Sequence, residues 1–327
     1  MSAPENQGQG RSGWPQMGRP PRLVDRMRRW PLYVFGAVAG VPLGLFGLSL
    51  ALTPPLEPPR PEQRLPLPRA DRAVVEAAAA RTAAVAWPEE VLTGPEAKAL
   101  LLEVLLAVEA GLEAQTGYTA TFRKQERVDG KLQPEQTMAM KVRHRPFAIY
   151  LKFLHPDAGK EVIYHTGRYD DHIVAHGGKL TRLLLPRLKV PPNSPLAMKG
   201  NRHPVTDAGL LNLVKKLVRF RRMDLTDHDA ETVLDRVTDE KGRTYLRSAH
   251  AHPHKTGDRP FAYVEVLYDP QTRIPVQFEG FDWPESGVWR GERILGERYV
   301  YEDVDFEAEL TDLDFDPANP AYEFRRF

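Results

Sequence analysis

Residues 117–153, GYTATFRKQERVDGKLQPEQTMAMKVRHRPFAIYLKF, decide the fold. Tyr118, Ala120 and Phe122 alternate with Thr119, Thr121 and Arg123, the twofold period of a strand buried on one face. Asp129-Gly130 supplies the residues of a tight hairpin turn, and Met138, Met140 and Val142 alternate again on the return. Phe147, Ile149, Leu151 and Phe153 then place a third apolar row on one face. Such a sheet needs cover on its apolar side.

Upstream, residues 70–86 are Ala-rich and favour a helix that Trp87-Pro88 ends. Thr93-Gly94-Pro95-Glu96 fits a capping box opening a second helix, with Leu100, Leu101, Val104, Leu105, Val108 and Leu112 on one face and Gly117 as its stop. Downstream, residues 162–165, 172–175 and 180–185 are short strands. Thr206 caps another amphipathic helix through Leu210, Leu213, Val214 and Leu217. Strands return at 232–237, 244–252, 261–268, 273–281 and 299–306. The pattern predicts an α+β, mainly β fold: an antiparallel meander covered by two or three helices. Consecutive strands without helical crossovers exclude a doubly wound fold, and no repeat of 20 to 50 residues supports a propeller.

The N-terminal part reads differently. Residues 1–30 hold six arginines against Glu5 and Asp25 and form a basic tail, predicted cytoplasmic; residues 31–52 (PLYVFGAVAGVPLGLFGLSLAL) carry no charge. At ~1.5 Å per residue that run reaches roughly 33 Å as a helix, enough for one transmembrane helix or signal anchor. Arginines before it and none close after predict a single-pass inner-membrane protein, N-terminus cytoplasmic and C-terminal domain periplasmic. The rival is a signal peptide cleaved near Ser49 and Ala51, which also sends the rest of the chain outward. Residues 53–69 hold seven prolines and read as an extended spacer, able to reach up to roughly 50 Å at ~3.1 Å per residue. Residues 70–327 are then the extracytoplasmic domain.

Among the 327 residues there is no cysteine, which excludes disulfides, thiolate zinc sites, a thiol nucleophile and an acylated N-terminal cysteine. The 45 basic and 44 acidic residues nearly cancel, which argues against a nucleic acid partner. Nine of those basic residues but only four of the acidic ones precede residue 70, so the outer domain is mildly acidic.

Gln125-Glu126-Arg127 with Asp129-Gly130-Lys131, Lys141-Val142-Arg143 with Arg145-Pro146-Phe147, Tyr150-Leu151-Lys152, Gly159-Lys160-Glu161-Val162, Asn201-Arg202-His203-Pro204-Val205-Thr206 with Gly209, and the closing Phe315, Asn319-Pro320 and Tyr322 form an ordered set. It resembles a bacterial family of unknown function grouped with the outer-membrane lipoprotein carrier superfamily, over about residues 95–325. The resemblance implies a strongly curved antiparallel sheet, an incomplete barrel closed by helices over an apolar cavity. It further implies a membrane-associated partner: a lipid or an acylated lipoprotein.

On that basis Phe122, Met138, Met140, Phe147, Ile149, Leu151, Phe153, Leu210, Leu213 and Leu217 are candidate lining residues, with an ordinary core as the alternative reading of any one of them. At ~0.8 kcal/mol per buried methylene, a fourteen-carbon chain gains roughly 10 kcal/mol before entropy losses, so such a site needs no polar motif. Arg202 and His203, before a helix, are candidates for an anionic headgroup, or else they pin a loop. His250, His252 and His254 have the spacing of a metal-binding strand, but Pro253 and the turn after it read as a strand end with exposed histidines. Lys215, Lys216, Arg219, Arg221 and Arg222 read as a solvated basic strip. Glu126, Arg127, Arg143 and Glu161 are weighed as a charge network and read as cross-strand pairs. No nucleophile elbow, His-Glu-x-x-His helix or phosphate-binding loop is present, and no cofactor is expected. The expected function is non-catalytic lipid or lipoprotein binding by a membrane-tethered domain. The alternatives are an envelope interaction module with a filled core and, third, a hydrolase.

Overall fold

The structure, a computed structural model, describes residues 57, 59–178, 187–257 and 259–325. The expected span at 31–52 and the strand at 180–185 lie outside the described residues. Among the described residues no helix is long and apolar enough to cross a membrane.

Chain order runs α1 (Arg72–Ala84), β1 (Leu92–Thr93), α2 (Gly94–Ala114), β2 (Gly117–Val128), β3 (Lys131–Leu132), β4 (Gln136–Arg143), β5 (Ala148–His155), β6 (Glu161–His165), β7 (Ile173–His176) and β8 (Leu188–Val190). It continues with α3 (Pro195–Met198), α4 (Leu210–Thr226), β9 (Glu231–Thr238), β10 (Thr244–Ala251), β11 (Tyr263–Tyr268), β12 (Pro275–Asp282) and β13 (Ile294–Asp305). The strands form one antiparallel sheet in the order β1-β9-β10-β11-β12-β13-β2-β4-β5-β6-β7-β8, with β3 paired to β2. Its two outer strands do not pair, so the sheet is not closed. The first long strand, β2, lies beside the last, β13, joining two meanders at the centre. Register shifts near Gly280, Leu267, Glu302 and Thr137 bend the strands.

Helices α2 and α4 pack on each other and cover the inner face. Leu101, Val104, Leu105, Val108 and Leu112 of α2 and Leu210, Val214 and Leu217 of α4 are buried with Tyr118, Phe122, Met138, Met140 and Ile149. Two helix boundaries, and the capping of a third, differ from expectation. Thr93 occupies the cap of α2, but its side chain makes no capping bond. Thr206 lies in a short 3-10 turn, and α4 starts after Gly209 (φ 102°) because the Tyr118 hydroxyl, reaching across the core, accepts from the Leu210 N–H at 2.9 Å. Gly117 is the first residue of β2 and not a helix stop: a Cβ there would stand 2.3 Å from the Val142 carbonyl oxygen.

The outer face is also covered. Ala148, Tyr150, Ile163 and Val174 bury a second cluster with Leu310, Phe315, Tyr322 and Phe324 of the C-terminal segment, and Leu67 packs beside them. The proline-rich stretch is therefore more than a spacer. Leu67 N–H donates to Leu310 O (2.7 Å), Thr116 Oγ1 to Pro68 O (2.6 Å) and Gln63 Nε2 to Asp316 (2.6 Å).

Candidate functional site

Between the sheet and α4 lies a partly open cavity of about 780 Å³, within the ~300 to 1,000 Å³ of small-molecule sites. Phe122, Met138, Leu151 and Phe153 line it from β2, β4 and β5, and Leu213 and Leu217 from α4. All six were expected there. Val162, Ile173, Val264, Phe278, Tyr299 and Tyr301 extend the apolar wall across both meanders. Met140, Ile149 and Leu210 are fully buried in the packing between sheet and helices instead. Phe147 faces a smaller pocket of about 270 Å³, its ring 6.1 Å from that of Tyr164.

The alternation of β2 continues past its apolar residues, so Lys124 and Glu126 share the face of Phe122 and enter the same cavity. Glu126 accepts from Tyr299 OH (2.6 Å), the Arg202 N–H (2.9 Å) and Lys124 Nζ (3.2 Å). Burial alone would push its carboxyl up, but these partners outweigh burial and hold it below the usual range. Arg202 forks onto Asp282 at 2.9 and 3.0 Å, and its Nε is 3.5 Å from Glu297. His203 Nε2 is 2.7 Å from Glu297. Arg202 and His203, both at the cavity wall, thus face the chain's own carboxylates, which hold this loop against the sheet. Arg127 turns the other way, donating to the Leu295 and Gly130 carbonyls. Arg143 and Glu161 serve the outer face, where Glu161 accepts from Tyr150 OH and the Glu323 N–H, both at 2.8 Å. The four charges considered together therefore do not converge.

A second polar group stands deeper. Arg221, His252 and Arg259 line the cavity while only 3%, 3% and 4% exposed. Asp224, 1% exposed, lies among them: His252 Nε2 is 3.1 Å from its Oδ1, Arg221 Nε 3.1 Å from its Oδ2, and Arg259 Nη1 donates to Oδ1. Arg259 also reaches Asp227 at 2.8 Å. Two expectations are corrected here. His250 and His252 are buried because α4 packs over the end of β10, and only His254, beyond Pro253, is exposed. Arg221 is likewise no part of a solvated strip, since it shares the inward face of α4 with Leu213 and Leu217. Lys215 and Lys216 pair with Glu113 and Asp207, both at 2.8 Å. Burial, reinforced by Arg221, drives the His250 imidazole well down, and burial also lowers that of His252. Among the described residues no group of His, Cys, Asp and Glu is placed to hold a metal ion.

The polar members of the site were only half visible in sequence. Lys124 and Glu126 stand in phase with Tyr118 and Phe122, and Arg221 follows Leu213 and Leu217 at four-residue spacing. Arg259 gave no such signal, being set by a loop.

The model of the family described as "Protein of unknown function (DUF1571)" matches residues 115–324. It agrees with the family of unknown function to which the ordered motifs pointed. No curated protein matches the chain. Solved structures to which it is similar include the lipoprotein LppX of Mycobacterium tuberculosis, 13% identical over 64% of this chain and 98% of that one (TM-score 0.35). A DUF1329 family protein from Desulfovibrio piger is 11% identical over 68% and 96% (TM-score 0.33). A LolA superfamily protein from Nitrosomonas europaea is 10% identical over 62% and 90% (TM-score 0.23).

Proposed function

The chain belongs to the DUF1571 family, and because that family carries no assigned activity, we propose from the cavity itself that this is a membrane-tethered, extracytoplasmic domain that binds a lipid or an acylated lipoprotein without catalysis. The observation that carries the proposal is the apolar wall contributed by both halves of the sheet and by α4 around about 780 Å³. A fully packed core leaves few voids larger than a water. This one is large enough for an acyl chain, whose burial gains about 0.8 kcal/mol per methylene. Membrane, lipid and lipoprotein are the expected partners, with no cofactor.

Tethering rests on the uncharged run at 31–52 behind an arginine-rich tail. A reporter fused after Phe327 is expected to be active only outside the cytoplasm, and the full product to stay in membranes after carbonate washing. Cytoplasmic reporter activity would overturn the localisation. Mass spectrometry of lipid extracts from the purified protein, followed by displacement of a fluorescent acyl probe, tests the ligand class. No co-purified lipid and no displaceable probe would favour an interaction module.

A further inference from the structure

Leu213, Leu217 and Arg221 lie four residues apart on one face of α4, and all three line the cavity. Over eight residues a helix advances about 12 Å. The apolar stripe of α4 therefore ends, well inside the cavity, at a guanidinium that is 3% exposed.

That guanidinium is incompletely partnered. Its one ion-pair partner among the described residues is Asp224. Although Nε is 3.1 Å from Oδ2, it is not aligned for a hydrogen bond, and Nη1 has no acceptor at all. Asp224 is shared: Arg259 donates to its other oxygen, His252 lies against the same atom, and His250 Nδ1 is 4.0 Å from Oδ2. Arg259 gains a second carboxylate in Asp227, whereas Arg221 does not. The buried part of the cluster thus holds two guanidiniums against one carboxylate, with both imidazoles pushed towards neutrality. A guanidinium carries five donors, and a buried cation short of partners destabilises the fold unless a further anion reaches it. In the same cluster His252 Nδ1 is also buried without a hydrogen-bond partner.

We propose that this inner end of the cavity receives the anionic group of an acyl ligand, a carboxylate or a phosphate, against Arg221, so that the ligand enters head first with its chain along Leu217 and Leu213. This rests on the lipid-binding reading and adds to it the ligand's charge and direction.

The test compares hexadecanoate, hexadecanol and inorganic phosphate as competitors for a fluorescent acyl probe on the delipidated full chain in amphipol. Hexadecanoate is expected to bind about tenfold more tightly than hexadecanol, equivalent to roughly 1.4 kcal/mol, and phosphate alone not to compete. Arg221→Met should remove the preference for the acid while keeping affinity for the alcohol. Arg219→Met, which changes an exposed cation at the same cavity, should keep the preference. Because Arg221→Met leaves Asp224 with one cation fewer, the double variant Arg221→Met/Asp224→Asn provides the same readout with the pair removed together. Equal affinity of the unaltered protein for acid and alcohol would overturn the head-first proposal while leaving the carrier reading intact. Binding of neither would end both. Competition by phosphate alone would also overturn the proposal, marking a site for free anions.

Discussion

Glu126 and Glu297 are register partners on the adjacent strands β2 and β13, both facing inward and only 3% and 4% exposed. Like charges directly opposite on a sheet repel, and here the loop carrying Arg202 and His203 inserts between them as the neutralising wedge. The ordered motif residues of β2 and of that loop are therefore two halves of one electrostatic arrangement at the edge of the cavity.

Arg202→Met is expected to destabilise by about 1.5 to 3 kcal/mol, the range for charge-assisted hydrogen bonds, because the fork onto Asp282 is half-buried. Gly296→Ala probes the same wedge from behind, since a Cβ at Gly296 would stand 2.3 Å from Asp282 Oδ1, the anchor of Arg202. Urea denaturation of both single variants and the double variant should give strongly non-additive losses. Additive losses would mean that Asp282 and Arg202 are not coupled.

Phe261 lines the cavity and lies flat over Gly280, where a Cβ would meet three ring carbons at 2.7 to 2.8 Å. Gly280→Ala should push the ring into the cavity. The expected outcome is a severalfold loss of acyl-probe affinity with a stability cost of about 1 to 3 kcal/mol. Unchanged probe affinity would show that the ligand does not reach this wall.

Burial, aided by Arg143, holds the His165 imidazole at about 4, well under its usual 6.5. Its folded form is neutral, so the unfolded chain takes up the proton first as pH falls. The associated stability is complete above pH 6.5, drains between 6.5 and about 4, and amounts to on the order of 3 kcal/mol. His144, His250 and His252 are displaced in the same direction and should steepen the loss. Thermal midpoints recorded from pH 7.5 to 4 should fall monotonically, and His165→Gln should flatten the upper part of that curve. A midpoint independent of pH across this window would contradict the assignment.

On the outer face Tyr150 and Tyr322 stack with centroids 4.0 Å apart at 4°, and His176 meets the edge of Phe324. Tyr322→Ala is expected to cost about 3 to 5 kcal/mol, like other large-to-small changes of buried aromatics. Deleting residues 59–69, which removes the Leu67, Pro68 and Gln63 contacts, should lower the thermal midpoint by several degrees. A free spacer would leave it unchanged.

Periodicity carried much of the fold. The alternation in β2, β4 and β5 and the stripe on α4 lie where the sequence placed them, because those residues face one apolar environment. What periodicity does not encode is which strand lies beside which: β2 meets β13 through a pairing separated by the whole domain, and the Glu126–Glu297 juxtaposition follows only from that. Lys152 shows the same limit. Alternation puts it opposite Leu151 and suggests an idle surface position, yet its amine is 3.9 Å from the fully buried Glu161, so an acidic replacement would face a carboxylate. Burial of His250 and His252 was hidden for a related reason, being imposed by α4 from elsewhere in the chain.

The docking of Leu67 beside the C-terminal aromatic residues has a mechanical consequence. The segment leading into the domain and the segment ending it both grip the back of β5–β7, on the opposite face from the cavity lining. Tension applied through either end of the chain would be borne in shear by this rear anchorage and the strands beneath it, leaving α4 and the Arg202 loop outside the load path.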